Sequence, residues 1–285
     1  MKIKLAVIGD PIAHSKSPDI HTTVLEDLGI DYEYECVRVE RGGLERFISY
    51  AKEKGLRGFN VTMPHKVDII PLLDWIDDEA RMYHAVNTVK IEDGKLYGYN
   101  TDGEGYIESI REKGFSCQGK NIVVLGAGGA AATVAMKAAA EKAATVTVLN
   151  RSRERSEMLY NNIKDKTGRE IVLDDLNTEK ITEYCRECDL LINGTPLGMH
   201  GIEHNFESFD FFDTMKKGAL VSDMIYNPPK TDFLKNAEEI GFEILNGLGM
   251  LIYQGLIADK IFLEKSLDFG RLKKKIKNNI EKIEK

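Results

Sequence analysis

The chain has 285 residues, 42% of them hydrophobic and 30% charged, with a formal net charge of -7. That length holds one large domain or two modest ones, and the balance is that of a soluble globular protein. The negative charge argues against nucleic-acid or membrane partners, so an anionic substrate must be held by local groups.

The N-terminal run MKIKLAVIGDPIAHSKSP is apolar only briefly before Gly9 and Pro11 interrupt it. It is too short for a signal-peptide core and lacks a small-residue cleavage pattern. No uncharged apolar stretch approaches the roughly 20 residues that span a bilayer. The expected location is cytoplasmic.

In chain order, KLAVIGD (4–10) and YEYECVRV (32–39) read as strands, with a helix near 18–28 between them. A helix around 43–54 leads to a third strand, GFNVTM (58–63), and a further helix is expected after Pro64. Next, AVNTVKI and KLYGYNTD face each other across Asp93-Gly94, a hairpin turn signal. These elements make an α/β domain with a mixed sheet. A helix from Asp102 to about Ser116 then leads to a new unit beginning at Gln118-Gly119-Lys120. There NIVVLGAG reads as a buried strand, AAATVAMKAAAEKA as a helix and TVTVLN as a second strand. Further strands are expected at EIVL, DLLINGT, LVSDMIY and FEILN, which implies a parallel, doubly wound sheet.

After Asn246 a long helical stretch is followed by a terminal helix with Leu272, Ile276, Ile280 and Ile283 on one face. Glu281 and Glu284 interrupt its lysines, and no aromatics interleave, so it reads as a solvated face on a packed helix. Cys185 and Cys188 form a Cys-x-x-Cys pair, but neither Cys36 nor Cys117 makes a second pair at zinc spacing. Helix packing is the expected role. The six histidines show no ligand spacing, His65 reads as structural, and no metal is expected.

The run Gly126-Ala127-Gly128-Gly129-Ala130-Ala131 lies between a strand and a helix and fits G-x-G-x-x-G/A. The first glycine makes the tight turn, the second admits a pyrophosphate, and the last position must be small for helix and strand to approach. Amides at the helix N-terminus then face the phosphates. At the end of the second strand, where NAD binders usually place an acid, stand Asn150, Arg151, Ser152, Arg153, Glu154 and Arg155. Guanidinium groups and a hydroxyl suit a 2′-phosphate, so NADP(H) is the expected cofactor. Ser152 also reads as a helix N-cap, and the two roles are compatible.

Four polar constellations mark the first domain. Ser15 and Ser17 precede a helix and offer hydroxyl donors to a carboxylate, although Ser17 as N-cap with Pro18 at N1 would explain the same residues. Asn60 and Thr62 share a strand face, with Lys66 at the following turn. Asn87 lies in a strand, where asparagine is disfavoured and a buried amide needs partners. Asn100-Thr101-Asp102-Gly103 ends a strand and starts a helix. Singly, each has a structural explanation: satisfied core amides, a surface charge, a helix cap.

Together and in order, these runs resemble the shikimate dehydrogenase family over almost the whole chain. The matching runs are IGDPIAHSKSP, GFNVTMPHK, AVNTV, YGYNTDG, VLGAGGAA, NRSRER, INGTPLGM, DMIYNPPKT and NGLGMLIYQG. The resemblance implies a substrate domain of residues 1–103 plus 247–285, and a Rossmann-type NADP domain of 104–246. It implies that Ser15 and Ser17, with Tyr226, bind the substrate carboxylate. Thr62, Asn87 and Gln254 would bond the ring oxygens, supported by Asn60, and Lys66 and Asp102 match the catalytic pair. Gly247 would lie near the nicotinamide, with Thr195 and Met224 along its channel. The implied reaction is the reversible NADPH-dependent reduction of 3-dehydroshikimate to shikimate, in chorismate biosynthesis, by a monomer or homodimer. Lysine would donate a proton to the developing alkoxide, and the nearby aspartate would couple to its titration. An NAD-linked quinate dehydrogenase of the same fold would carry an acid near position 151.

Overall fold

A computed structural model of the chain describes residues 2–13 and 15–283, with side chains to Ile280 at the C-terminal end. The chain divides into two compact units, one of residues 1–105 and 252–285, the other of 106–251.

The first unit carries β1 (Ile3–Gly9), α1 (Ser17–Asp27), β2 (Tyr32–Arg38), α2 (Leu44–Lys54) and β3 (Gly58–Val61). It continues through β4 (Trp75–Ile76), α3 (Asp78–Tyr83), β5 (Thr88–Glu92) and β6 (Lys95–Tyr99) to the start of α4 (Asp102–Arg111). The sheet runs in the order β2-β1-β3-β5-β6-β4 and is mixed: β1 pairs with β2 and β3 in parallel, while β3–β5 and β5–β6 are antiparallel. Ile8, Phe47, Phe59, Ile69 and Val89 bury one face of it. The β5–β6 hairpin turns at Asp93 (φ 49°) and Gly94 (φ 74°), the two left-handed positions that a tight hairpin requires.

The second unit holds β7 (Asn121–Leu125), α5 (Gly129–Ala140), β8 (Thr145–Asn150), α6 (Arg153–Thr167), β9 (Val172–Asp175) and α7 (Thr178–Cys185). Then follow β10 (Leu190–Asn193), β11 (Leu220–Asp223), α8 (Asp232–Ile240), β12 (Glu243–Leu245) and the start of α9 (Leu248–Leu263). All six strands are parallel, in the order β12-β11-β10-β7-β8-β9. The order reverses between β7 and β10, the switch point at which doubly wound sheets open a crevice.

The rest of α9 and α10 (Phe269–Ile283) belong to the first unit. Leu272, Ile276 and Ile280 are buried, whereas the side chain of Ile283, and Glu281 and Glu284, lie outside the described side chains. Arg271 and Lys275 pair with Asp27 of α1 at 2.6 and 3.2 Å. The basic helix is therefore anchored to α1 by its charged edge as well as its apolar face.

Several local expectations change. The helix expected after Pro64 does not form: residues 64–69 make turns and only Ile70–Leu72 a 3-10 helix. The Lys66 carbonyl accepts from Val86 N at 2.8 Å, and Pro71 offers no N–H with which to propagate a helix. Ser17 is not an N-cap. It is the first residue of α1, and the hydroxyl of Ser15 accepts its N–H at 3.2 Å. The helix after Asp102 stops at Arg111, ahead of Gly114 at φ 72°. Cys185 and Cys188 are buried and unpaired among the core side chains of the second unit, where burial pushes both thiols up, Cys188 to about 12. Among the described residues no group of three or more His, Cys, Asp or Glu could hold a metal ion. Among them, too, no helix is long and apolar enough to cross a membrane.

Candidate active site and dinucleotide loop

In the first unit, strand register gathers residues far apart in sequence. The β3–β5 pairing sets Asn60 opposite Thr88, and β5–β6 sets Thr88 opposite Tyr99. Asn60, Asn87 and the start of α4 thus share one end of the sheet. Asn60 Nδ2 donates to Thr88 Oγ1 at 3.2 Å, and Thr88 Oγ1 donates to Asn87 Oδ1 at 2.9 Å. Asn87 Oδ1 also accepts the Thr101 N–H at 3.0 Å. With its oxygen so engaged, the amide must turn its nitrogen the other way. Asn87 Nδ2 donates to Asp102 Oδ1 at 2.9 Å and Gln254 Oε1 at 3.4 Å.

The other oxygen of Asp102 accepts from Lys66 Nζ at 2.6 Å. The lysine side chain is 34% exposed and that of the aspartate 13%. The ammonium therefore opens toward solvent, while its partner is held from behind. Asn100 Oδ1 accepts the Asp102 N–H at 3.0 Å, fixing the helix start that presents the carboxylate. At Gly105 a Cβ would come within 2.7 Å of Gln254 N, so α4 and α9 touch there and glycine is what allows it.

Thr62 follows β3, its N–H bonded to Ile8 O, and a Cβ at Gly9 would lie 2.5 Å from its methyl group. Ser15 and Ser17 stand at the start of α1, where the Ser15 hydroxyl accepts the Ser17 N–H at 3.2 Å. His65 is buried and donates from Nε2 to Val39 O at 2.6 Å. Lys66, Asp102, Asn87, Gln254 and Asn60 thus form one connected network. Tyr226 is carried by the second unit, just beyond β11.

In the second unit the glycine loop follows β7 at the switch point. Gly126 takes φ 98°, which a side-chain-bearing residue adopts only under strain, and a Cβ there would crowd Gly194 O and Thr195 at 3.2 Å. Gly128, Gly129 and Ala130 are exposed, and a Cβ on either glycine would meet nothing within 4 Å. Ala131 is buried 2.5 Å from where a Gly194 Cβ would lie, the close helix–strand contact that a small residue permits. The loop thus presents open backbone at the N-terminus of α5, the arrangement that suits a pyrophosphate.

At the end of β8, Asn150 Nδ2 donates to Ser152 O at 2.9 Å, and Ser152 Oγ caps α6 by accepting the Arg155 N–H at 3.4 Å. A hydroxyl that accepts there keeps its own proton for a further acceptor. Arg153 is instead taken by Glu157 at 2.8 Å. Arg151 and Thr195 line one recess of about 290 Å³, with Asn177, Leu197, His204 and Phe206 among its walls. Gly247 approaches Met224 so closely that a Cβ would lie 2.1 Å from its carbonyl oxygen.

Sequence reading missed the supports beneath these residues. Asn193 Oδ1 accepts from both Thr195 N (3.0 Å) and Thr195 Oγ1 (2.7 Å). Asp223 receives Asn193 Nδ2, Ile225 N and Thr231 Oγ1, at 3.1, 3.0 and 2.5 Å. Burial nevertheless pushes its carboxyl up to about 6. Polar residues ending two adjacent parallel strands, in LLIN and LVSD, were the available signal. Thr88 and Thr101, which orient Asn87, gave none beyond proximity.

A doubly wound sheet with a G-x-G-x-x-A turn, in one chain with an α/β unit holding an ammonium–carboxylate pair, defines a two-domain oxidoreductase of the dinucleotide-binding class. Residues 7–89 match the family described as shikimate dehydrogenase substrate binding domain, and residues 109–204 that described as shikimate/quinate 5-dehydrogenase. The shikimate dehydrogenase (NADP(+)) of Methanococcus maripaludis strain C6 is 40% identical over 276 residues, 97% of each chain. Among solved structures, shikimate 5-dehydrogenase from Listeria monocytogenes in complex with shikimate and NAD matches with a TM-score of 0.89 at 34% identity, over 96% of each chain. The ligand-free 5-ketofructose reductase of Gluconobacter sp. strain CHM43 matches with a TM-score of 0.86 at 33% identity, over 98% of this chain and 99% of that one. The chain belongs to the shikimate dehydrogenase family.

Proposed function

We propose that this protein catalyses the reversible NADPH-dependent reduction of 3-dehydroshikimate to shikimate, with the first unit as substrate domain and the second as dinucleotide domain. The observation that carries the reading is the contact of Lys66 Nζ with Asp102 Oδ2 at 2.6 Å, backed by Asn87 and Gln254. NADPH, when bound, supplies the hydride. Lys66 donates a proton to the ketone oxygen as negative charge develops on it, and accepts one in the reverse direction. Asp102 aims the ammonium. Asn87, Gln254 and Thr62 hold the ring oxygens, with Asn60 behind them. Ser15 and Ser17, with Tyr226, hold the carboxylate. That carboxylate is also what separates this substrate from an uncharged ketosugar of the kind the Gluconobacter enzyme's name denotes.

The turn Gly126-Ala127-Gly128-Gly129-Ala130-Ala131, exposed at Gly128, Gly129 and Ala130, fits a pyrophosphate. Arg151, Ser152 and Arg155, with Asn150 shaping the turn, suit a 2′-phosphate better than a bare hydroxyl, since guanidinium groups there favour a dianion. Thr195, Met224 and Gly247 would line the nicotinamide channel. Each of these groups comes from one chain, so a monomer or a homodimer would serve, in the cytoplasm where such reductions run.

The test is a spectrophotometric assay of shikimate oxidation with NADP and NAD side by side, and of quinate oxidation with NAD. The expected result is the highest kcat/KM for shikimate with NADP. A clear preference for quinate with NAD would overturn the reading.

A further inference from the structure

Asn193 and Asp223, the last residues of β10 and β11, face each other across one rung of the parallel sheet, and both are wholly buried. A carboxylate in such a place is costly unless donors surround it. Here three do. Asn193 Nδ2 and Ile225 N meet Oδ1 at 3.1 and 3.0 Å, and Thr231 Oγ1 meets Oδ2 at 2.5 Å. An ionised carboxylate can only accept, so it dictates which way its neighbours turn.

Those donors carry the wall given to the nicotinamide. With its nitrogen drawn to Asp223, and at 3.3 Å to Leu197 O, the Asn193 amide presents its oxygen to Thr195. That oxygen accepts from Thr195 N at 3.0 Å and Oγ1 at 2.7 Å, and the Asn193 backbone carbonyl accepts Met224 N at 2.9 Å. On the other side Asp223 fixes Ile225 N, and the Ile225 carbonyl accepts Gly247 N at 3.0 Å. Thr195, Met224 and Gly247 follow three different strands, β10, β11 and β12. Each is nevertheless linked to the same carboxylate through a single intermediary, Asn193 or Ile225.

We propose that Asp223 is a positioning residue for hydride transfer, holding Thr195 and Met224 through Asn193, and Gly247 through Ile225, so that the nicotinamide ring stays aligned. The proposal rests on the reading of those three residues as the nicotinamide channel. Being wholly buried, Asp223 acts through its partners and not on the reacting atoms. Alignment is where such a support tells, because a displacement of about 1 Å at the reacting centre can cost about 10²-fold in rate. A leucine in its place would fill the same space and accept nothing, which frees the Thr195 loop and the Ile225 turn together.

The experiment uses the full-length enzyme above pH 7, where Asp223 is ionised. It reads kcat for shikimate oxidation with NADP and the dissociation constants of NADPH and of 2′-phospho-ADP-ribose, which lacks the nicotinamide. Asp223→Leu should lower kcat about tenfold or more and weaken NADPH about fivefold, with the nicotinamide-free analogue within about twofold of the parent. Asp223→Asn keeps an oxygen for Asn193 and Ile225 and should recover most of that loss. A thermal melt verifies the fold. Asn193→Ala, which leaves Asp223 its other two donors, carries the same measurements where the leucine variant melts below the assay temperature. An unmoved kcat, a loss shared equally by NADPH and the analogue, or an asparagine variant no better than the leucine one overturns the proposal and leaves the channel reading standing. Met224→Ala tests that reading by itself: unaltered kcat and NADPH affinity there overturn the channel, and the proposal with it.

Discussion

Asn87 meets Asp102 with its amide nitrogen, 2.9 Å from Oδ1, because Thr101 N and the Thr88 hydroxyl already occupy its amide oxygen. Asp102 is thus gripped from both sides, its other oxygen accepting a hydrogen bond from Lys66 Nζ. Asn87→Leu would keep the volume but orphan buried polar groups around it. Leaving such groups unsatisfied costs about 1–3 kcal/mol. A lowered melting temperature together with a fall in kcat/KM for shikimate is expected. A variant as stable and as active as the parent would show that the amide neither orients Asp102 nor touches the substrate.

Lys66→Ala removes the proposed proton donor and should lower kcat by about 10²–10⁴. NADPH affinity, measured by fluorescence titration, should hardly change, because the dinucleotide loop lies in the other unit. Asp102→Asn keeps the shape but loses the charge that aims the ammonium, and its kcat should fall to a similar level. Combining the two should cost little more than either alone, as for residues acting as a unit. Additive losses would mean separate roles.

Cofactor choice is predicted to turn on the first residue after β8. Arg151 is exposed and lines a recess with Thr195. Arg151→Asp replaces a cation with a group that repels a 2′-phosphate and accepts from a ribose hydroxyl. The ratio of kcat/KM for NADP to that for NAD should drop at least tenfold, chiefly through KM for NADP. An unaltered ratio would move the 2′-phosphate site elsewhere.

Asp223 supplies a pH signature. Its folded pKa of about 6 stands above the ordinary carboxylate value of 3.8, so the folded chain holds a proton that the unfolded chain releases between these limits. This contribution favours the fold at low pH and is lost as pH rises through 6, by up to about 3 kcal/mol. Asp223→Asn removes it. Relative to the parent, the variant should therefore gain stability in urea melts between pH 5 and pH 7.5. Parallel stability profiles would contradict the assignment.

Local features of this chain were legible without coordinates because short-range physics produces them. Asp93-Gly94 makes its hairpin because both residues accept positive φ. The turn at Gly126 needs a glycine wherever the chain takes φ 98° ahead of a helix. Alternating strands and helices after Asn121 imply a parallel sheet, since each crossover must return to the same side. The polar runs were visible too, and their order named the family. Other features depended on neighbours that sequence proximity does not reveal. Residues 64–69 fail to become a helix because Val86, twenty positions from Lys66, takes the Lys66 carbonyl. The tautomer-like choice of which way Asn87 points is made by Thr88 and Thr101, and the His21–Asp259 pair spans 238 positions. Periodicity and turn chemistry act over a few residues and so are written in the sequence. The direction of a buried polar group is set by the partners packing brings to it, and only the tertiary structure decides those.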